Sequence, residues 1–390
     1  MSLHPRDKRI PRITIKDKST EEKLKRNPEL FENMLFRAVI TEWSNVKFAV
    51  GEIIGCIGRV NDLSAETKAI LQENNLDVGQ FQKAIERYVP EYIPAEEYEK
   101  REDMRRLCTF TIDPATARDL DDAVSCRRLP NGNFEVGVHI ADVTHFLTPD
   151  TELDRITAAK ATSVYLVDSV YNMLPPEMCS FLSLLPGKDS LTFSVIWELT
   201  AGGKVVSRRF CKSVINSCCQ LSYEDALAVL DDPVDFDGRV LPQIHNGFGA
   251  GDVRDIVNDM HAIARHLRRA RFEGGALQIN NVKLAFQLDR EHEPVNISVY
   301  RQTRANHLIE EFMLLANVTV AEKINGDFPD VAFLRYHEPP NSRLLTELKT
   351  MLETVGVDVD VSSSKSIQSN LSRYSSGHFL GASSSHDMFL

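Results

Sequence analysis

Four aspartates fall within ten residues of this chain, Asp113, Asp119, Asp121 and Asp122, in the run Ile112-Asp113-Pro114-Ala115-Thr116-Ala117-Arg118-Asp119-Leu120-Asp121-Asp122-Ala123. Few local features restrict a fold more. Carboxylates this close repel one another, and the repulsion grows steeply as water is withdrawn. The run must therefore lie where a rigid element ends, at a place that something positive can occupy. Arg118 could neutralise one of these charges but not four. The occupant that suits a set of oxygen-bearing side chains is a hard divalent cation, Mg2+ or Mn2+. An EF-hand is excluded, since Asp119-Leu120-Asp121-Asp122 lacks the glycine and the closing glutamate of that loop. The competing reading is a solvated loop whose Asp side chains cap the strand that follows.

The surroundings favour the first reading. Cys108 to Ile112 reads as a strand running into the acidic run. Beyond it, Asn131-Gly132 signals a tight hairpin. Phe134, Val136, Val138 and Ile140 then alternate, placing one apolar face against a core. Leu191–Leu199, Gly202-Gly203 and Val205–Ile215 write a second hairpin. Val253, Ile256, Val257, Met260, Ile263 and Leu267 recur at helical spacing, as do Leu308, Ile309, Phe312, Leu315 and Val318. Leu277 to Leu288 reads as a strand, and Leu344, Leu345, Leu348, Met351 and Leu352 mark a helix ending near Gly356.

These patterns divide the chain. Residues 1–60 read as part of a small β-barrel, with strands at Leu35–Ile40 and Phe48–Ile54. Residues 61–107 form a mostly helical connector, with a helix starting at Ser64, Glu66 and Thr67. Residues 108–361 form a mixed α/β (α+β) domain that carries the aspartates. Residues 362–390, rich in serine and without periodicity, are expected to be disordered.

Composition sets outer limits. No apolar run is long enough to span a bilayer, and no apolar segment follows the charged N-terminus as a secretory signal requires. Seven cysteines at positions 56, 108, 126, 179, 211, 218 and 219 give neither a disulfide framework nor a Cys-x-x-Cys pair. An intracellular protein with reduced thiols and no zinc site is expected, and the vicinal Cys218-Cys219 pair reads as buried strand. A net charge of −11 argues against wholesale nucleic-acid binding. Basic residues nevertheless cluster at Arg6, Lys8, Arg9 and Arg12, and again at Arg265, His266, Arg268, Arg269 and Arg271. Such a lane could follow a threaded polyanion, although solvated helix faces explain each cluster equally well.

The motif Ile-Asp-Pro-x-x-Ala-Arg-Asp-Leu-Asp-Asp-Ala resembles the signature of the RNase II (RNB-domain) exoribonucleases. The resemblance continues through Val136–Val143, Thr162–Tyr165, Met173–Pro176 and Leu308–Asn317, and it is colinear over about 240 residues. His4–Asp7 and Ile10–Ile13 resemble the second cold-shock-type barrel of eukaryotic members. Ala161–Val167 and Leu191–Trp197 are most similar to the Dis-three-like, exosome-independent cytoplasmic branch, whose members degrade 3′-uridylated RNA.

The resemblance implies a 3′-to-5′ exoribonuclease that uses two Mg2+ or Mn2+ ions to release nucleoside 5′-monophosphates from single-stranded RNA. It implies a monomer, localised to the cytoplasm or its P-bodies, without membrane or exosome-core partners. It assigns Asp113, Asp119 and Asp122 to metal, and Asp121 to the second metal position or the attacking water, as the most activity-critical side chain. Tyr165 would stack on a base near the RNA 3′ end; the alternative is core packing. Glu310 would accept a hydrogen bond from a terminal 2′-hydroxyl; the alternative is a surface charge beside Glu311. His139 and Asp142 are expected to be structural. The second stacking aromatic of bacterial members falls at Ile279, so a two-sided clamp is not expected. The family's Ser-Pro-Ile-Arg phosphate clamp does not occur in these 390 residues. A truncated catalytic domain that binds RNA without cleaving it is therefore the second expectation.

Overall fold

Short β-rich runs near the N-terminus pair as β1 (Ser2–Leu3), β2 (Arg12–Ile15), β3 (Met34–Asn45) and β4 (Phe48–Arg59). The computed structural model describes residues 2–17, 22, 25–45, 48–232, 241–279, 283–290 and 294–375. It falls into two units, one of residues 1–85, 149–174 and 286–296, the other of residues 86–148, 175–285 and 297–390.

In the first unit the strand order is β1-β2-β4-β3, with β2 parallel to β4. Ile13, Ile15 and Ala49 form its buried centre, backed by Leu3, Ile40 and Ile53. Glycine is required at Gly51, where a Cβ would lie 2.4 Å from the Val39 carbonyl oxygen. Val39, Trp43, Phe48 and Ile54 stay exposed, as a sheet this small buries only part of its apolar surface. Helix α1 (Leu63–Glu73) begins one residue before Ser64. Its cap is Asp62, whose side chain accepts a 2.8 Å hydrogen bond from the Ala65 N–H.

A helix at Glu152–Lys160 belongs to the same unit. The buried Lys160 ammonium donates to the carbonyls of Asp77 (3.0 Å) and Gly79 (2.9 Å) and lies over the Phe81 ring. After left-handed Ala161, Val164–Tyr165 pairs with Val170–Tyr171 as a short ribbon.

The second unit is built on a seven-stranded sheet. Its strands are β5 (Glu102–Asp103), β6 (Thr109–Asp113), β7 (Asp122–Arg128), β8 (Phe134–Ala141), β9 (Asp189–Leu199), β10 (Val205–Asn216) and β11 (Cys219–Ser222). The order is β11-β6-β7-β8-β9-β10-β5, antiparallel through the middle and parallel at both edge pairs. Gly132 turns the β7–β8 hairpin with φ +83°. One face packs on α2 (Tyr223–Asp231), α3 (Ala250–Glu273) and α4 (Arg304–Asp327). Phe110, Val136, Val138, Trp197, Met260 and Phe312 lie fully or almost fully buried in that core. The Trp197 indole N–H donates to Thr319 Oγ1 at 3.1 Å and pins α4 to the sheet. Buried Cys218 and Cys219 belong to the same cluster.

Two expectations change. The apolar alternation of β8 stops at Val138, because Ile140, paired with Asp122 on one side and Phe193 on the other, is 40% exposed. That end of the strand has passed the helices and reached the acidic rim. The serine-rich end is also not structureless throughout. After α5 (Ser342–Thr354), residues Ser364–Ser375 form α6. Ser364 Oγ donates to the Gly275 carbonyl and Lys365 Nζ to the Glu273 carbonyl, each at 2.8 Å. These donors satisfy carbonyls that the end of α3 leaves open. Residues 376–390 lie outside the described residues. No described helix is long and apolar enough to cross a membrane.

Candidate active site

The acidic run connects β6 to β7, and main-chain contacts hold it in place. Pro114 cannot continue the ladder, and a turn follows in which the Ala117 N–H donates to the Pro114 carbonyl at 2.8 Å. Leu120 is fully buried. Its N–H donates to Ser183 Oγ at 2.9 Å, and its carbonyl accepts from the Leu184 N–H at 2.9 Å. Ser183 Oγ donates in turn to the Arg118 carbonyl at 3.2 Å. The Asp121 carbonyl accepts from the Ala141 N–H at 3.0 Å, and Asp122 opens β7 opposite Ile140. The run is thus anchored through its backbone and through one apolar side chain.

The aspartates crowd one another. Burial and the charges of Asp113 and Asp121 push the Asp122 carboxyl up to about 6. Burial, with the Asp121 charge, raises Asp113, against the Thr111 hydroxyl, which lowers it. Asp121 has the most open surface of the four, yet the protein packed around it and the neighbouring Asp119 raise it too. Among the described residues no ion pair reaches any of the four. Arg118 is exposed and contributes only its carbonyl to the hydrogen bonding around the run.

Asp113 Oδ2 is buried without a hydrogen-bond partner. A buried carboxylate oxygen in that state is costly and suits a cation bound from outside. No three His, Cys, Asp or Glu side chains among the described residues stand arranged as a finished metal shell. The donors are clustered carboxylate oxygens, the kind that suits a hard divalent ion.

Two neighbours escape the sequence reading. Tyr223 opens α2, and its hydroxyl is held up to about 12, first by burial and then by the charges of Asp113 and Asp122. Ser222 and Asp225 form a capping box that fixes the start of α2, but no sequence signal ties Tyr223 to the aspartates: only the parallel β6–β11 register, with Ser222 level with Asp113, brings it alongside. Burial, followed by the Asp119 and Asp121 charges, holds the Cys179 thiol up to about 11.

Glu310 and Glu311 lie on α4 opposite Arg268 and Arg271 of α3. Arg271 reaches Glu311 at 2.5 Å and Glu310 at 3.3 Å, and Arg268 reaches them at 3.2 and 3.3 Å. Glu311 is the buried member, with its side chain 3% exposed against 37% for Glu310. Two arginines of the expected basic lane are therefore consumed within the protein, as are Arg6 by Glu66 and Arg9 by Asp7.

In the other unit Tyr165 is 71% exposed on its ribbon, which excludes core packing. Ile279 is also exposed, at 74%. His139 is fully buried between Ser125 Oγ (2.9 Å) and Ser194 Oγ (2.7 Å), and burial lowers it to about 3. Asp142 pairs at 2.8 Å with the buried Arg101, which also holds Glu97 at 3.0 Å.

The sequence matches the Dis3-like cold-shock domain 2 over residues 1–75. DIS3-like exonuclease 2 of Xenopus tropicalis is 41% identical over 375 residues, covering 94% of this chain and 45% of that protein. The Arabidopsis thaliana protein named Inactive exonuclease DIS3L2 is 38% identical over 383 residues, covering 96% of this chain and 36% of that protein. The chain thus spans less than half the length of these relatives. Among solved structures, Mycoplasma genitalium RNase R in complex with ribose methylated single-stranded RNA is similar in fold, with a TM-score of 0.75 at 21% identity over 88% of this chain and 53% of that one. The RNB domain itself matches residues 101–382, most of the second unit and the whole acidic run, and the chain belongs to the RNB-domain family.

Proposed function

We propose that this chain carries the hydrolytic centre of a metal-dependent 3′-to-5′ exoribonuclease that converts single-stranded RNA to nucleoside 5′-monophosphates. The observation that carries the reading is the anchored acidic run, four carboxylates without an ion pair among the described residues and one buried oxygen without a hydrogen-bond partner. Asp113, Asp119, Asp121 and Asp122 would hold two Mg2+ or Mn2+ ions, which activate water and balance charge building on the phosphoryl oxygens. The chain's own contribution is placement. Leu120 and Ser183 fix the backbone from which these side chains project. Asp121, the most open of them, orients the attacking water and receives its proton. Tyr165 offers an exposed ring on which a base stacks, worth about 1–3 kcal/mol. Glu310 presents a half-exposed carboxylate to a 2′-hydroxyl, which selects RNA over DNA.

Substrates ending in uridine, action as a cytoplasmic monomer and independence of an exosome core belong to the same proposal. The name of the Arabidopsis relative favours a second reading, an RNA-binding chain that does not cleave. A 5′-labelled RNA with an oligouridine tail, incubated with Mg2+, separates the two. Stepwise shortening that falls by about 100-fold or more in Asp121→Asn, the scale on which a charge-stabilising group acts, supports the first. Retention of the RNA with equal background in both proteins establishes the second.

A further inference from the structure

Away from the acidic run, a cavity of about 230 Å³ opens between α3 and α4. His261, Ala264, Arg265 and Arg268 line it from α3, and Arg304, His307 and Leu308 from α4. Each set recurs at three- and four-residue spacing, so each occupies one helix face. Ala264 and Leu308, both buried, form an apolar floor. The walls hold three guanidinium groups and two imidazoles, and the lining includes no carboxylate.

The compensation of these cations is incomplete. Arg268 turns to Glu310 and Glu311, and Arg304 to Asp231, all outside the lining. Arg265 is exposed and has no hydrogen-bond or ion-pair partner among the described residues. His307 Nε2 is buried and likewise without a hydrogen-bond partner. A pocket with free donors of one sign and no acceptor is built for an anion. Planar forks beside imidazoles match the oxygens of a phosphate group.

We propose that this pocket is a phosphate-binding site, held by Arg265, His261 and His307 with Arg268 and Arg304 at its edges. The phosphate could come from an RNA backbone or from a free monoester such as a mononucleotide, and the two share the same chemistry. The site does not require the acidic run to hydrolyse RNA.

Binding should be coupled to protons. Without a ligand, burial lowers His261, followed by the charges of Arg304 and Arg265. Burial also lowers His307, with Arg268 and Arg271 acting in the same sense and Glu310 and Glu311 against it. Both imidazoles are therefore biased toward the neutral form. An anion between them favours the charged form, so it raises both values and takes up protons. For a phosphodiester, whose charge is fixed near neutral pH, affinity then rises as pH falls; a monoester takes up a proton of its own near neutrality, which offsets the rise.

The test uses the full chain, its Asp121→Asn variant and EDTA throughout, so no hydrolysis contributes. Histidine ring resonances are followed by NMR while inorganic phosphate, uridine 5′-monophosphate or an oligouridylate is added, up to about 10 mM in phosphate. Saturable shifts of His261 and His307 are expected, weakened at least about tenfold by Arg265→Glu and by the milder Arg265→Gln. Response to all three probes identifies a site for any phosphate group, and response to the oligouridylate alone a site for the RNA backbone. The proposal is overturned by the absence of a saturable shift with every probe. It is equally overturned by unchanged affinity in an Arg265 variant whose far-UV circular dichroism matches the parent.

Discussion

The second unit holds two concentrations of negative charge and treats them in opposite ways. Glu310 and Glu311 meet Arg268 and Arg271 in a four-membered network across two helices, one carboxylate buried and the other half out. Asp113, Asp119, Asp121 and Asp122 meet no protein cation among the described residues, and three of them are pushed toward the protonated form by burial and by one another. A chain that can place arginines so closely in one region and supplies none in the other leaves the second charge for something it does not itself contain. The glutamates act as a fastening between helices. The aspartates form a socket.

If that contrast is right, removing a carboxylate should have opposite consequences in the two places. The largest effect belongs to the fastening. Glu311→Ala leaves two guanidinium groups to the half-exposed Glu310 alone and should cost about 3 kcal/mol, read as a lower midpoint in urea at unchanged slope. A loss below experimental error would show that the network contributes nothing net. Next comes the socket's response to its occupant. At roughly 100-fold excess over its dissociation constant, Mg2+ should stabilise the chain by about 2.7 kcal/mol, and Asp122→Asn should remove most of this gain. An equal rise in melting temperature for both proteins would place the ion elsewhere.

A smaller change of opposite sign is expected in EDTA. Asp113→Asn relieves repulsion and should stabilise the ion-free chain by about 1 kcal/mol; destabilisation would mean that the carboxylate has a partner there after all. The slightest effect is on pH dependence. Asp122 titrates in the folded chain at about 6, above its unfolded value, so the folded state binds the proton more tightly. This group's contribution to stability is present in full below the unfolded value of about 4 and is lost as pH rises through about 6. Melting curves in EDTA should show that drift, and Asp122→Asn should flatten it.

Much of this was legible in the primary structure, and for definite reasons. Asn131-Gly132 and the alternation from Phe134 to Val138 specify the β7–β8 hairpin, because a tight turn and a period of two are both local signals. The stripes from Val253 to Leu267 and from Leu308 to Val318 specify α3 and α4 in the same way. What escaped depends on distant partners. β5 is two residues long and exists only by pairing with β10. Helix α6 is made of weak helix formers and is held by the end of α3. Nothing near Arg268 announces that Glu310 and Glu311, some forty positions away, will claim it. The aspartate motif could be read in full, but Tyr223 could not, because only the parallel register of Ser222 with Asp113 brings it alongside.

The buried Leu120 has a consequence for inheritance. It divides the acidic run into a part that folds and a part that reacts: the leucine, Ser183 and the main chain carry the first, and the aspartate side chains carry the second. On the proposed function, a single base change at codon 119, 121 or 122 would silence hydrolysis while the sheet and the helices persist. Descent with loss of cutting would then be a short step for such an architecture, and it would leave behind a well-folded chain rather than a ruin.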